Sequence, residues 1–258
     1  VRHAIITAGT KGLGRKVTEE FLKMGCSVTV NYRSDEFRVE ELKKEWKPYL
    51  EVIQFVQGDV TRKEDITNIF TQAMNRFGRI DYLINNAGPY IFERKKVVEY
   101  EDYEWNEMID GNLGSVFHFL KLTIPVMREQ KFGRVITYGF QDAENSPGWM
   151  YRAAFSAAKV GLVSLTKSVA LEEAEHGITA NMVCPGDITG EMKEASITAA
   201  RTQKDPETPI GRPGTGEDIA RIIAFLCEEN SDFITGSVIS ASGGVNVVNK
   251  TGSRGQVD

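Results

Sequence analysis

A short apolar run, HAIIT at 3–7, opens directly into a turn carrying glycine at positions 9, 12 and 14, and the turn opens into a helical period. Few folds accommodate that order. The glycines let the backbone fold tightly and approach a ligand closely. The helix that follows offers unpaired N–H groups and the positive end of its dipole to the turn. Strand, glycine turn and helix in succession predict a parallel α/β unit that holds a dinucleotide pyrophosphate at the helix N-terminus. The residues assigned to that contact are Gly9, Thr10, Lys11, Gly12, Leu13 and Gly14.

The rest of the chain continues the pattern. Short, β-branched, mostly apolar runs at 3–7, 27–32, 51–57, 80–86, 133–138, 178–184 and 236–241 read as strands buried on both faces. Between them, 12–25, 35–46, 63–77, 101–130, 151–176 and 216–229 read as helices. In the first of these, Leu13, Val17 and Phe21 recur every four positions as one apolar stripe. Alternation with right-handed crossovers predicts a doubly wound parallel sheet of about seven strands, a Rossmann fold in a single α/β domain spanning 1–258. One stretch breaks the rhythm. Residues 187–214 are polar, hold a helix candidate near 191–203 and end in PIGRPG; they are expected to form a lid over the substrate. The polar tail 249–258 is expected to fray.

Composition narrows the partners. The net charge is −5 and the pI about 5.5, which argues against broad binding to nucleic acid or an anionic membrane. Cys26, Cys184 and Cys227 are far apart, odd in number and without a histidine cluster, so neither a disulfide framework nor a metal site is expected. No apolar run approaches the ~20 residues of a membrane span, and residues 1–8 read as a strand rather than a signal peptide. A cytoplasmic location is expected. The charged stretch 93–105 mixes both signs and reads as a solvated loop and helix start.

Further motifs carry a resemblance over essentially the whole chain. TAGTKGLG at 7–14 is similar to the T-G-x-x-x-G-x-G turn of the short-chain dehydrogenase/reductase family, with Ala8 at the first glycine. GDV at 58–60 matches the adenine-contacting segment, giving Asp59 and Val60. NNAG at 85–88 matches the cofactor-side turn, giving Asn86, Ala87 and Gly88. Asn112 in NLGSVF matches an active-site asparagine. CPG at 184–186, with Ile188, matches the loop beside the nicotinamide, giving Pro185, Gly186 and Ile188. ITGSVISASGG at 234–244 matches the last strand. In pattern the chain is most similar to 3-oxoacyl-acyl-carrier-protein reductases. The resemblance implies a homotetramer or homodimer acting on a small-molecule or acyl-thioester substrate.

Charge selects the cofactor. The second strand ends in NYRS, without an aspartate at its tip to bind ribose hydroxyls and repel a 2′-phosphate. Arg33 stands there instead, and Lys11 lies in the glycine turn. Two cations beside a dianionic phosphate predict NADP(H).

The catalytic side departs from the pattern. Carbonyl-reducing relatives use a serine, a tyrosine and a lysine, often with an asparagine; the tyrosine donates the proton and the lysine lowers its pKa. Here the Y-x-x-x-K helix reads FSAAK at 155–159: Lys159 is present and Phe155 replaces the tyrosine. The serine position falls on Phe140. Losing a positioned acid costs about 10²–10⁴-fold in rate. Tyr151, one turn earlier if the helix extends that far, is the candidate substitute, with Tyr138, Gln141 and Asp142 as other polar groups. Relatives that reduce enoyl thioesters place their tyrosine further from the lysine, and Tyr151, with seven residues between it and Lys159, approaches that spacing. Asn112, Tyr151 and Lys159 form the candidate catalytic set. Lys159 is also expected to hold the cofactor ribose. Three functions remain open: reduction of a 3-oxoacyl thioester, reduction of an activated C=C bond, and catalytically silent NADP(H) binding.

Overall fold

The computed structural model describes residues 1–245; the tail expected to fray, 249–258, lies outside them. Seven strands form one parallel sheet: β1 (His3–Ile6), β2 (Ser27–Tyr32), β3 (Ile53–Gln57), β4 (Tyr82–Asn85), β5 (Gly133–Tyr138), β6 (Ile178–Pro185) and β7 (Val238–Ala241). Their order is β3-β2-β1-β4-β5-β6-β7, every pair parallel. The strand order reverses between β1 and β4. Ile6 stands level with Val30 on one side and Ile84 on the other, so the chain leaves β1 at the crevice where a doubly wound sheet binds ligands.

Helices cover both faces: α1 (Gly12–Lys23), α2 (Glu36–Glu45), α3 (Lys63–Phe77), α4 (Asp102–Ile109), α5 (Ser115–Gln130), α6 (Ala153–Glu172), the short α7 (Ile197–Ala200) and α8 (Gly216–Cys227). On one face α1 packs along α8, burying Val17 and Phe21 against Ile6, Tyr82, Ile219 and Ile223. On the other, α3 packs on α5 and α6 on β6, around Ile69, Phe119, Leu162 and Met182. The central strands are buried along their length, as their apolar runs require. β7 is an edge strand and only half-buried, so burial on both faces does not extend to it.

Three helical expectations change. Residues 101–130 do not form one regular helix: a π-helical turn at Asp110–Gly114 separates α4 from α5. The helix expected over 151–176 begins only at Ala153, because Arg152 is non-helical and Tyr151 adopts a left-handed φ of 65°. The segment 191–203 holds a 3₁₀ turn at Gly190–Lys193 and then α7. α6 also meets the length and hydropathy expected of a membrane span, a feature the sequence pattern does not announce. Half of that window is buried inside the domain, as befits a core helix.

The α1 anchor is testable. The Phe21 ring is fully buried and meets Tyr82 edge-on at 5.2 Å. Phe21→Ala is expected to cost about 3–5 kcal/mol in urea unfolding, because neither the α8 side nor the sheet side can collapse into the vacated volume.

Candidate active site

The glycine turn is held by its neighbours at both sheet edges of the crevice. Asn31, at the end of β2, accepts the Ala8 N–H through Oδ1 (3.3 Å) and donates to the Gly58 carbonyl (2.8 Å). Asn86, just past β4, donates to the Thr7 and Ala8 carbonyls at 3.0 and 3.3 Å, and the Thr7 hydroxyl accepts the Ala87 N–H at 2.8 Å. Ala8 adopts φ 49°, a left-handed conformation that suits the glycine it replaces. Gly12 has φ 59° and opens α1. Gly14 is forced by space: a Cβ there would overlap the Ala8 carbonyl oxygen and Asn86 Nδ2. Gly9 lies against Thr18, whose hydroxyl donates to the Gly9 and Gly14 carbonyls.

Two clefts flank this turn. The first, about 280 Å³, is lined by Thr10, Lys11, Arg33, Asp35, Asp59, Val60, Ala87 and Gly88, among others. Lys11 and Arg33 are exposed and make no ion pair among the described residues. Asp35 also faces this cleft, but its carboxylate caps α2 by accepting the Arg38 N–H at 3.0 Å. The Asp59 carboxylate accepts the Thr61 N–H and hydroxyl at 2.9 and 2.8 Å, which fixes its orientation.

The second cleft, about 510 Å³, lies on the other side of the turn. Leu13, Asn86, Gly88, Asn112, Lys159, Pro185 and Gly186 line it, together with Tyr90, Tyr138, Gly139, Phe140, Trp149, Phe155, Asp187 and Lys193. Most of the first group are the residues that the sequence motifs assign to the nicotinamide side. Ile188 lies outside it and lines a third cavity, of about 620 Å³, between the 187–214 segment, α8 and β7.

The π-turn explains how Asn112 reaches this cleft. Gly111 packs against the Pro89 ring so closely that a Cβ would overlap it. The widened turn lets Asn112 Nδ2 donate to both the Pro89 and Met108 carbonyls, at 2.9 and 3.1 Å. Its Oδ1 is buried and has no partner among the described residues. A Cβ on Gly88 would overlap that Oδ1 and stand 3.7 Å from Lys159 Nζ. The orphan acceptor, the bare glycine and the ammonium therefore converge on one point. Lys159 is buried and makes no hydrogen bond or ion pair among the described residues. Burial lowers its pKa to about 8, and the nearby Cys184 opposes that only weakly.

Around the lysine the walls are aromatic. Lys159 Nζ lies 5.6 Å above the Phe155 ring. Phe155 meets Tyr90 at 5.0 Å and Trp149 at 6.1 Å, and Phe140 meets Trp149 at 5.0 Å. The Tyr90 hydroxyl is engaged by Arg152 Nε at 2.6 Å.

Of the candidate substitutes for the missing acid, Tyr138 is among the residues that line this cleft, but its hydroxyl is buried; Tyr151, Gln141 and Asp142 do not line it. Tyr151 precedes α6, so the one-turn relation to Phe155 fails. Its ring sits 5.0 Å beneath the Arg94 guanidinium, outside the residues that line the cleft. Tyr138 packs in the core on the α8 side, where burial pushes its phenol up, and its hydroxyl is unpartnered among the described residues. Gln141 donates to the Ser242 hydroxyl, and Asp142 accepts from Asn145. Burial raises the Cys26 and Cys184 thiols to about 11 and 12, so neither is a nucleophile. No cluster of metal-ligating side chains occurs among the described residues.

Two contributors escape the sequence pattern. Asn31 organises the glycine turn from the next strand, and the N of NYRS is its only sign. Glu194 reaches the turn from the 187–214 segment, from 182 residues away, where no local pattern announces it.

Known proteins with similar sequences and structures agree with this geometry. A family profile described as "Enoyl-(Acyl carrier protein) reductase" matches residues 7–246. The chain is 67% identical over 251 residues to the Bacillus subtilis protein named "Putative oxidoreductase YtkK", covering 97% of this chain and 98% of that one. It is 31% identical over 245 residues to the 3-oxoacyl-[acyl-carrier-protein] reductase FabG of Staphylococcus epidermidis, covering 95% and 98%. A solved structure titled "Structure of putative 3-oxoacyl-reductase from bacillus thuringiensis" superposes with a TM-score of 0.91 at 63% identity, covering 96% of this chain and 99% of that one.

The buried lysine has a measurable cost. Its pKa is about 8 in the folded protein, against 10.5 for an unburied lysine, so the charged form is disfavoured in the native state. The unfolded chain then binds more protons between these values, and stability rises with pH across that window. Lys159→Met is expected to stabilise the protein by about 3 kcal/mol at pH 7. The advantage should shrink as pH rises from about 8 toward 10.5, read by urea unfolding at several pH values.

Proposed function

The chain belongs to the short-chain dehydrogenase/reductase family, and we propose that it is an NADP(H)-dependent reductase of acyl thioesters in which the Lys159 ammonium, rather than a tyrosine, answers the negative charge created by hydride transfer. The observation that carries this is the convergence of the buried Lys159, whose Nζ has no partner among the described residues, with the orphan Oδ1 of Asn112 at the bare backbone of Gly88.

The residues present fit a dinucleotide. A Cβ at Gly14 would close the turn, and the N-terminal N–H of Gly12 already receives a carboxylate, so this spot suits an anion. Gly9, Thr10, Lys11, Gly12, Leu13 and Gly14 would cradle the pyrophosphate. Asp59 and Val60 would meet the adenine, and Lys11 and Arg33 the 2′-phosphate. Asn86, Ala87, Gly88, Lys159, Pro185 and Gly186 would flank the nicotinamide and its ribose, whereas Ile188 lines the neighbouring cavity. When bound, that group supplies hydride.

The chain's own residues then decide the acceptor. Phe140 and Phe155 give a substrate oxygen no hydroxyl to bond with, whereas a buried ammonium stabilises a developing oxyanion strongly in so dry a site. That combination favours an activated C=C bond. Its reduction leaves an enolate oxygen held by Lys159, and water protonates the α-carbon. A second reading, reduction of a 3-oxoacyl carbonyl, is favoured by the FabG relatives and by the 63% identical structure. There Lys159, with its pKa at about 8, donates the proton to the alkoxide and regains one from water.

The segment 187–214 serves as the substrate lid. A cytoplasmic homodimer or homotetramer accords with the family resemblance. Tyr103, Trp105 and Phe117, exposed on α4 and α5, support packing of copies there. Neither a nucleic acid nor a membrane is a partner in this reading.

Mixing the protein with NADPH and a panel of enoyl and 3-oxoacyl thioesters tests it by loss of nicotinamide absorbance. Turnover is expected with enoyl thioesters, with NADPH preferred to NADH by roughly tenfold or more. Lys159→Met is expected to lower kcat/KM by about 10²–10⁴-fold, whereas Tyr151→Phe leaves it unchanged. Phe155→Tyr combined with Phe140→Ser is expected to raise 3-oxoacyl reduction. NADPH binding without turnover of any substrate would leave a silent binding protein instead.

A further inference from the structure

Glu194 belongs to the 187–214 segment, directly after the 3₁₀ turn Gly190–Lys193. Its carboxylate is turned toward the glycine turn and only partly exposed. Oε1 accepts the Gly12 N–H at 2.8 Å. Oε2 accepts from Arg15 Nη1, and from Arg38 Nη2 at 3.0 Å. The side chain is 28% exposed. Burial alone would raise its pKa, but the Gly12 N–H and the two guanidinium groups outweigh that and hold it below the ordinary glutamate value. Arg15 is not otherwise idle: it also pairs with Glu19 and Glu45.

This carboxylate sits at the position where the chain is built to receive a phosphate. Gly12 opens α1, and its N–H is one of the unpaired donors at the positive end of that helix. Two anions cannot share that donor: the second would have to enter beside an unscreened negative charge in a half-buried crevice. We propose that Glu194 is an internal latch that competes with the cofactor's pyrophosphate for the Gly12 N–H and must leave before the dinucleotide can seat. The proposal rests on the cofactor assignment above and goes beyond it.

The consequence is mechanical as well as electrostatic. Lys193, the residue before Glu194, lines the second cleft beside Lys159 and Asp187. Release of Glu194 frees the strap that carries Lys193, so seating of the cofactor and rearrangement of the lid over the substrate cleft are one event. Arg15 and Arg38, released from Glu194 but still paired with Glu19, Glu45 and Glu41, then stand beside the incoming phosphates.

Titration of wild type and Glu194→Gln with NADPH, followed by nicotinamide fluorescence, tests the latch. Inorganic pyrophosphate serves as a competing probe that lacks nicotinamide and adenosine. If the latched form holds about nine-tenths of the apoprotein, the variant should bind both probes roughly tenfold more tightly. It should also melt lower without ligand and show a larger NADPH-induced rise in Tm. If the glutamine variant fails to fold, Glu194→Asp, which keeps the charge but shortens its reach, should tighten binding in the same direction. Equal or weaker binding by the variants, with NADPH binding by wild type intact, would overturn the latch alone. Absence of nucleotide binding by every form would overturn the latch and the cofactor assignment together.

Discussion

The site depends on how closely the glycine turn approaches β4. Gly14 lies so near the Ala8 carbonyl and the Asn86 amide that one methyl group would overlap both. That approach brings the N-terminus of α1 to the crevice between β1 and β4, where the strand order reverses. It also lets Asn86 satisfy the Thr7 and Ala8 carbonyls, which would otherwise be buried polar groups without partners. The same economy recurs at Gly88 and Gly111, where absent side chains make room for Asn112 and Pro89. A chain of backbone contacts therefore links the pyrophosphate end of the site to the lysine end. Each link depends on a residue that contributes no side chain.

Against that frame of backbone, Lys159 is the costly element. A buried ammonium without a partner is destabilising, and a native core without function would replace it with an apolar residue. Phe155 and Phe140 remove the groups that ordinarily share such a charge, and their rings dry the cleft further. Cation–π attraction from Phe155 at 5.6 Å offsets only a small part of the cost. Retention of the lysine where its usual partners are gone is easier to understand if it meets an anion from outside. In the proposed function a substrate oxyanion would supply that charge, approaching from the cleft that the aromatic walls enclose.

The fold is legible in the sequence because its signals are local. Each apolar run lies where a strand forms, and the glycine turn appears as strand, turn and helix, though the ends of β3, β4 and β7 are shorter than their runs. Sequence and structure part where tertiary contacts override periodicity. Residues 101–130 carry an unbroken helical pattern, but Gly111 against Pro89 and Asn112 bonded to two carbonyls widen the turn between them. The pattern at 151–176 likewise runs into Tyr151, whereas Arg152 is drawn off the helix path by its bonds to Tyr90 and the Phe92 and Glu93 carbonyls. That displacement removes Tyr151 from the cleft, and nothing in the spacing from Tyr151 to Lys159 could have shown it. Most residues assigned to the cofactor side line the two clefts, and they are legible from motifs because those motifs mark backbone turns at fixed offsets. Asn31 and Glu194 act across the sheet and across the lid, where sequence separation hides them.

The two ends of the site are therefore governed by opposite charges of the protein's own. At the glycine turn the chain supplies an anion, Glu194, to donors shaped for phosphate. In the second cleft it supplies a cation, Lys159, to a space shaped for an oxyanion. Each apoprotein charge stands where a ligand of the same or opposite sign must arrive, and the consequences differ accordingly. Under the proposed latch the carboxylate must be displaced, which would lower apparent cofactor affinity in proportion to the latched population. The ammonium need not move, and gains stability when the anion forms beside it. On that reading, binding at one end would require a conformational step in residues 187–214, while chemistry at the other would proceed on a preorganised charge. Because Lys193 lines the second cleft and Glu194 holds the first turn, that step is transmitted through a single peptide bond. If the latch holds as proposed, the expected order is dinucleotide first, rearrangement of residues 187–214 second and substrate last.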